Sequence, residues 1–176
     1  MRARALSKST LQSRKHVAAG SYAAVTRVVS GGQTGADRAA LDWAIARGVA
    51  HGGWCPRGRR AEDGRIAEHY LLLETPSRDY EQRTRWNVRD SDGTLIVSRS
   101  GMLTGGSAYT ARCAERLEQP WLHVHPGADD MPAIRAFLER HRIRTLNVAG
   151  PRESTDPGIY AYVYGLLERL ATVERA

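Results

Sequence analysis

The sequence predicts a single doubly wound α/β domain, with a mainly parallel sheet and helices on both faces. Two observations carry that expectation. Short β-branched runs alternate with longer helical stretches along the chain, as they do where parallel strands are joined by right-handed crossovers. Three of the strand-like runs end in polar, glycine-bearing loops, and in such folds ligands sit beyond the carboxyl ends of the strands. A chain of 176 residues can bury one core of this kind between a sheet and two helical layers.

The elements follow in order. Val25, Thr26, Val28 and Val29 form a β-branched run that stops at Ser30-Gly31-Gly32. An Ala-rich helix over 35–47 starts at once, with Thr34 placed to cap it and Asp37 in its first turn. Residues 49–56 read as a short strand ending at Cys55-Pro56, residues 57–65 as a polar loop, and residues 70–73 as a brief apolar run closed by Thr75-Pro76. Residues 79–89 carry many charges with no Gly or Pro, which suits a helix. Asp92-Gly93 turns into a buried strand over 94–98, a loop spans 99–106, and a helix over 107–118 ends at Gln119-Pro120. A strand over 121–125 precedes an amphipathic helix over 131–141 that sets Ile134, Phe137, Leu138 and His141 on one face. The last strand covers 145–149. The last helix covers 157–173, with Pro157 at its start and Ile159, Val163, Leu166, Leu167 and Leu170 facing inward.

The net charge of +7 is unevenly placed. Arg2, Arg4, Lys8, Arg14 and Lys15 all precede residue 25, with no acid among them. Of the 26 basic residues, 21 therefore remain in the rest of the chain against 19 acidic ones. The basicity belongs to residues 1–24, read as an extension that cannot bury a core, with a transit peptide as the alternative. The globular domain is assigned to residues 25–176. That near balance makes nucleic acid an unfavoured partner; a third reading, nucleic-acid binding by the extension, would give salt-dependent affinity lost on its removal. No apolar run approaches 18 residues, so no membrane span is expected. Cys55 and Cys113 are not paired in a CxxC motif, and a reducing, cytoplasmic setting is the simplest fit.

A strand that stops at paired glycines and feeds a helix favours an anion. The glycines let backbone N–H groups approach a ligand, and the helix end carries about +0.5 charge. Gly31, Gly32, Gln33 and Thr34 therefore form the first candidate site. Gly105-Gly106-Ser107 with Thr110 repeats the arrangement, and Gly150 with Arg152 and Ser154 adds a third loop at the same edge. Arg57, Arg59 and Arg60 offer guanidinium forks suited to phosphate, with a self-paired charge run as the alternative. Arg83, Thr84, Arg85, Asn87 and Arg89 hint at a lined groove. No lysine follows Lys15, which excludes a P-loop lysine or a Schiff-base anchor in the domain. His123 and His125 share one side of a strand, with Asp129 and Asp130 close behind, but no third ligand stands at a diagnostic spacing and no metal site is assigned. Trp43, Trp54, Trp86 and Trp121 sit singly and form no stacking platform for single strands.

The stretches SGGQTGADRAALDWA, GGWCPRGRRAEDG, RTRWNVRDSDGTLI, GGSAYT and LNVAGPRESTDPGIY, in this order, resemble the molybdenum carrier family within the SLOG group of Rossmann-like proteins. The resemblance spans residues 25–170. It implies a Rossmann-like domain that binds a phosphate-bearing ligand and carries molybdenum cofactor as cargo. It also implies a homo-oligomer, and a molybdoenzyme or cofactor-biosynthesis protein as partner. By position it gives the loop role to Gly31, Gly32, Thr34, Gly105, Gly106, Thr110, Gly150 and Arg152. The SLOG group also holds phosphoribohydrolases marked by PGGxGTxxE. Here Arg112 or Cys113 stands where their glutamate would fall, so no catalytic residue is assigned. A second reading, hydrolysis of a nucleotide or nucleotide-derived signal, would need Asp37, Glu62 or Asp63 as its acid or base.

Overall fold

Five parallel strands form the main sheet of the computed structural model, which describes residues 25–127 and 130–172. The predicted extension 1–24 and Asp129 lie outside the described residues. The chain runs through β1 (Arg27–Val29), α1 (Ala36–Arg47), β2 (Ala50–Gly52), β3 (Trp54–Cys55), β4 (Arg60–Ala61), β5 (Gly64–Arg65) and β6 (Leu73–Glu74). It continues through α2 (Tyr80–Arg89), β7 (Gly93–Val97), α3 (Gly105–Arg116), β8 (Trp121–Val124), α4 (Asp130–Arg140), β9 (Thr145–Ala149) and α5 (Ile159–Thr172).

The main sheet is ordered β2-β1-β9-β7-β8, and every pairing in it is parallel. Counting β9 as the first strand turns this order into 3-2-1-4-5, the arrangement of a doubly wound nucleotide-binding sheet. The strand that would ordinarily open such a domain stands here near its end. The consequence is positional: β9 and β7 are neighbours from which the connections run outward in opposite directions. A crevice opens there, beyond their carboxyl ends.

Alternation along the strands sorts the core. Val28, Leu95, Val97, Leu146 and Val148 pack with Ala40 and Trp43 of α1, Ile134 and Leu138 of α4, and Ile159, Val163 and Leu167 of α5. On the opposite face α2 and α3 pack together through Val88, Cys113 and Ala114. All five residues of β7 are buried, as expected for a central strand covered on both faces. On the α2/α3 side, Asn147 of β9 donates to the Thr94 hydroxyl of β7 at 3.1 Å, and this satisfies two polar groups inside the sheet.

Several boundaries differ from the sequence expectation. The single strand expected over 49–56 divides at Gly53, whose φ of 126° turns the chain out of the main sheet. The β3 segment after it pairs with β6, and Asn87 of α2 clasps it through the Trp54 N–H at 2.8 Å and the Trp54 carbonyl at 2.9 Å. The polar loop over 57–65 holds a small antiparallel hairpin, β4–β5. The cap of α1 falls at Gly35 rather than Thr34, because the Thr34 hydroxyl donates instead to Glu62. The α3 helix begins at Gly105, so the second glycine pair forms its first turn. The α5 helix begins two residues after Pro157, and its first turn is capped by the Glu153 carboxylate, which accepts from Gly158 N–H at 2.6 Å and Tyr160 N–H at 3.0 Å. Trp54 and Trp86, read as isolated, meet edge-to-face at 4.7 Å.

Candidate functional site

A cavity of about 580 Å³ occupies the crevice between β9 and β7. Ser98 and Gly150 form its floor where the two strands end. Tyr80 and Arg83 of α2 wall one side, and the first turn of α3 closes another. Its volume falls within the usual range for small-molecule and cofactor sites, about 300–1,000 Å³.

The α3 end of the cavity is open. Thr104 is extended and provides no side-chain cap, and the first backbone bonds into the helix come from Ser107 and Ala108 to the Thr104 carbonyl, at 3.1 and 3.2 Å. The N–H groups of Gly105 and Gly106 precede any intrahelical acceptor. Among the described residues a Cβ added to either glycine would meet nothing within 4 Å, so a ligand can approach this backbone closely. Gly105 has a φ of +51°, which a side chain would disfavour. Ser107 is buried in the cavity wall. The Thr110 hydroxyl donates back to the Gly106 carbonyl at 2.9 Å, so its proton is held by the helix.

The first glycine loop has a different filling. Asp37, 2% exposed, turns its carboxylate back toward the loop, where Oδ2 accepts from Gln33 N–H at 3.4 Å and from Arg83 at 3.1 Å. A Cβ on Gly31 would run into the Arg83 guanidinium and Asp37, and one on Gly32 would meet Leu72 at 2.6 Å and Ile66 at 3.1 Å. The Ala36 N–H donates to the Pro151 carbonyl at 3.3 Å. The loop thus holds an anion, and that anion is the protein's own. Burial pushes the Asp37 carboxyl above its usual range, against the pull of Arg83.

Of the residues singled out from the sequence, Gln33, Gly105, Gly106, Ser107, Thr110, Gly150 and Arg152 come together around the cavity. Gly31, Gly32, Thr34, Arg57 and Arg60 lie outside its lining. Gly31 and Gly32 pack the interior, and Thr34 joins Glu62 to the loop after β9, accepting from Glu153 N–H at 3.4 Å. Arg57 and Arg60 are exposed on the hairpin side of the molecule. Their neighbour Arg59 is 4% exposed and clasps four carbonyls: Ala67 at 2.7 Å, Tyr70 at 2.9 Å, and Ile66 and Leu72 at 3.0 Å. Glu153 caps α5, and Arg152 stacks over Tyr80, 5.1 Å from the ring centre.

Tyr80 lines the cavity with no motif to mark it, and Tyr109 and Asp156 join it from within the GGSAYT and LNVAGPRESTDPGIY stretches, where nothing in the pattern distinguishes them. Arg83 and Thr84, in contrast, belong to the helix that hinted at a groove. Ser98 hydrogen-bonds both the Ser100 carbonyl at 2.6 Å and His123 Nε2 at 2.7 Å, and burial with His125 nearby pushes the His123 pKa down. Cys55 and Cys113 are core residues away from the cavity. Among the three acids considered for catalysis, only Asp37 reaches the cavity. Hydrogen bonds from Ser154 and Thr34 hold the Glu62 carboxyl below its usual range, and Arg38 does the same for Asp63. Gln33 Nε2 and Arg83 Nε are buried without partners among the described residues; a buried donor left unpaired costs about 1–3 kcal/mol.

Residues 28–171 match the model of the circularly permutated YpsA SLOG family. The chain belongs to that family. The permutation in its description agrees with the strand order, in which the opening strand of the sheet comes last. A solved structure is similar over most of its length: the protein called "Putative molybdenum carrier protein" from Syntrophus aciditrophicus SB. It is 50% identical with a TM-score of 0.81, and the alignment covers 84% of this chain and 95% of that one. No curated protein matches the chain. Among the described residues, no helix is long and apolar enough to cross a membrane.

Proposed function

We propose that this SLOG protein is a carrier that binds a phosphate-bearing small molecule in the β9–β7 cavity, with molybdenum cofactor as its cargo. The open first turn of α3 carries the reading. Gly105 and Gly106 present two backbone N–H groups at a positive helix end, inside a cavity large enough for a phosphorylated heterocycle. Arg152 and Arg112 in the cavity lining supply positive charge, and Tyr80 and Tyr109 supply flat apolar surface for a planar ring. Molybdenum cofactor, a pterin bearing a phosphate, fits this donor set, and the relative at 50% identity carries the molybdenum carrier name. A homo-oligomer, a cytoplasmic setting and transfer to a molybdoenzyme or cofactor-biosynthesis partner belong to the same reading.

Native mass spectrometry of the purified chain, followed by release and identification of small molecules, tests it. A phosphorylated pterin with molybdenum supports the carrier. A nucleotide or ribose phosphate instead would favour a second reading, hydrolysis of a nucleotide or nucleotide-derived signal. One observation speaks for that alternative: Asp37, a carboxyl whose pKa burial raises, lies in the cavity wall, where a general acid or base would stand. In that case Asp37→Asn would abolish turnover of a bound nucleoside monophosphate while the ligand still binds.

A further inference from the structure

The loop that joins β7 to α3 leads to the Gly105 and Gly106 N–H groups, yet it has little apolar anchorage among the described residues. From Arg99 to Gly106 every residue except Leu103 is exposed, and Met102 is 70% exposed. Polar ties hold its course instead. The Arg99 N–H donates to Asp156 Oδ2 at 2.9 Å, and the Arg99 guanidinium donates to the Pro157 carbonyl, so one tie runs to the segment after β9. The other runs to β8. Ser98, 3% exposed, has its hydroxyl 2.7 Å from His123 Nε2 and 2.6 Å from the Ser100 carbonyl, and Ser100 Oγ accepts the Met102 N–H at 3.2 Å. The His125 ring backs the same loop, 3.5 Å from where a Cβ on Gly101 would stand.

The direction of the second tie follows from its donors and acceptors. Ser98 Oγ has one proton, and the Ser100 carbonyl can only accept, so the proton goes there. His123 Nε2 therefore carries a hydrogen of its own and donates it to Ser98 Oγ, a tautomer assigned from the hydrogen-bond network. The pair is thus no nucleophile with its base, since the nitrogen that would take the serine proton already carries one. It is a relay of donors, running from the edge strand through Ser98 into the loop.

We propose that His123, acting through Ser98, is a positioning residue for the anion site at the start of α3. This rests on the reading that the Gly105 and Gly106 N–H groups receive a phosphate. Backbone donors bind an anion well only where the supporting structure already holds them in place. Without the relay, ordering the exposed loop would be subtracted from the free energy of binding. His123 and His125 suggest a metal pair in the sequence, but in the fold they brace this loop.

Isothermal titration of the full chain with inorganic phosphate, together with amide exchange over residues 99–106, tests this. Ser98→Ala breaks the relay at its centre, and His123→Phe keeps a ring on β8 while removing the donor. Each should weaken phosphate binding about tenfold and speed exchange in the loop. His123→Gln, whose amide nitrogen stands as many bonds from the backbone as Nε2, should restore both. A ring needed only for packing would not be replaced by glutamine. Ser98→Ala carries the test by itself if His123→Phe fails to fold. Unchanged phosphate affinity in Ser98→Ala, or a His123→Gln variant as weak as His123→Phe, overturns the positioning role alone. Absence of phosphate binding by the unaltered protein overturns the anion site, and the role with it.

Discussion

Gly31-Gly32 and Gly105-Gly106 follow the same local rule, a buried strand followed by paired glycines and a helix, yet their surroundings are opposite. Around the first pair the space is filled. Arg83 and Asp37 lie against Gly31, and Leu72 and Ile66 lie against Gly32. Around the second pair a Cβ would meet nothing within 4 Å among the described residues. The same backbone chemistry thus serves packing in one place and leaves donors open in the other. The difference comes from segments distant in sequence. The stretch 66–72 is folded under the first pair and fastened by Arg59, whereas nothing comparable among the described residues covers the start of α3.

Substitutions should separate the two roles. The largest effect is expected at Gly32→Val, which combines a φ of +74° with a clash against Leu72 and Ile66. A loss of about 3–4 kcal/mol in chemical denaturation is expected, from strain plus overpacking. Retention of full stability would show that the first loop can open. Arg59→Lys should cost about 3 kcal/mol by the same measurement, since an ammonium cannot reach four carbonyls at once. Exposure of the stretch 66–72 to amide exchange should accompany that loss. Gly106→Glu should behave in the opposite way. A carboxylate in the first turn of α3 is worth about 0.3–1 kcal/mol to the helix, so stability holds or rises. Inorganic phosphate affinity should nevertheless fall at least about tenfold through charge repulsion at the same N–H groups. Unchanged phosphate affinity would move the ligand away from α3.

The smallest effect concerns the bracket between the hairpin and the loop after β9. The Glu62 carboxyl lies below its ordinary 4.5 in the fold because Ser154 and Thr34 donate to it. Its contribution is therefore complete above that ordinary value and is lost as pH falls through the lower folded one. Thermal unfolding followed from about pH 6 down to pH 3 should show the unaltered protein losing stability more steeply than Glu62→Gln. Parallel curves would mean that the bracket contributes nothing in solution.

Much of the architecture was legible because it depends on local pattern. The β-branched run of 93–97 and the apolar spacing of Ile159, Val163, Leu166 and Leu170 announce a strand and a helix whatever surrounds them. The three loops at the carboxyl edge could be read for the same reason. Where reading failed, a partner from elsewhere decided the outcome. Thr34 has the chemistry of a helix cap but gives its hydroxyl to Glu62. Arg59 looks like its exposed neighbours Arg57 and Arg60 but faces inward. Residues 49–56 look continuous but divide at Gly53.

The sequence by itself determined the alternation of strand and helix and the glycine-bearing loops, because φ/ψ preferences and hydrophobic periodicity act over a few residues. Only the tertiary structure decided which glycine pair stays open, which guanidinium becomes a clasp and which amide keeps an unmet donor. Those outcomes depend on close packing and on hydrogen-bond partners that stand 7 to 13 residues away for Arg59, 29 for Gln33 and Glu62, and 119 for Thr34 and Glu153. No local pattern encodes whether the space beside a backbone N–H is already filled.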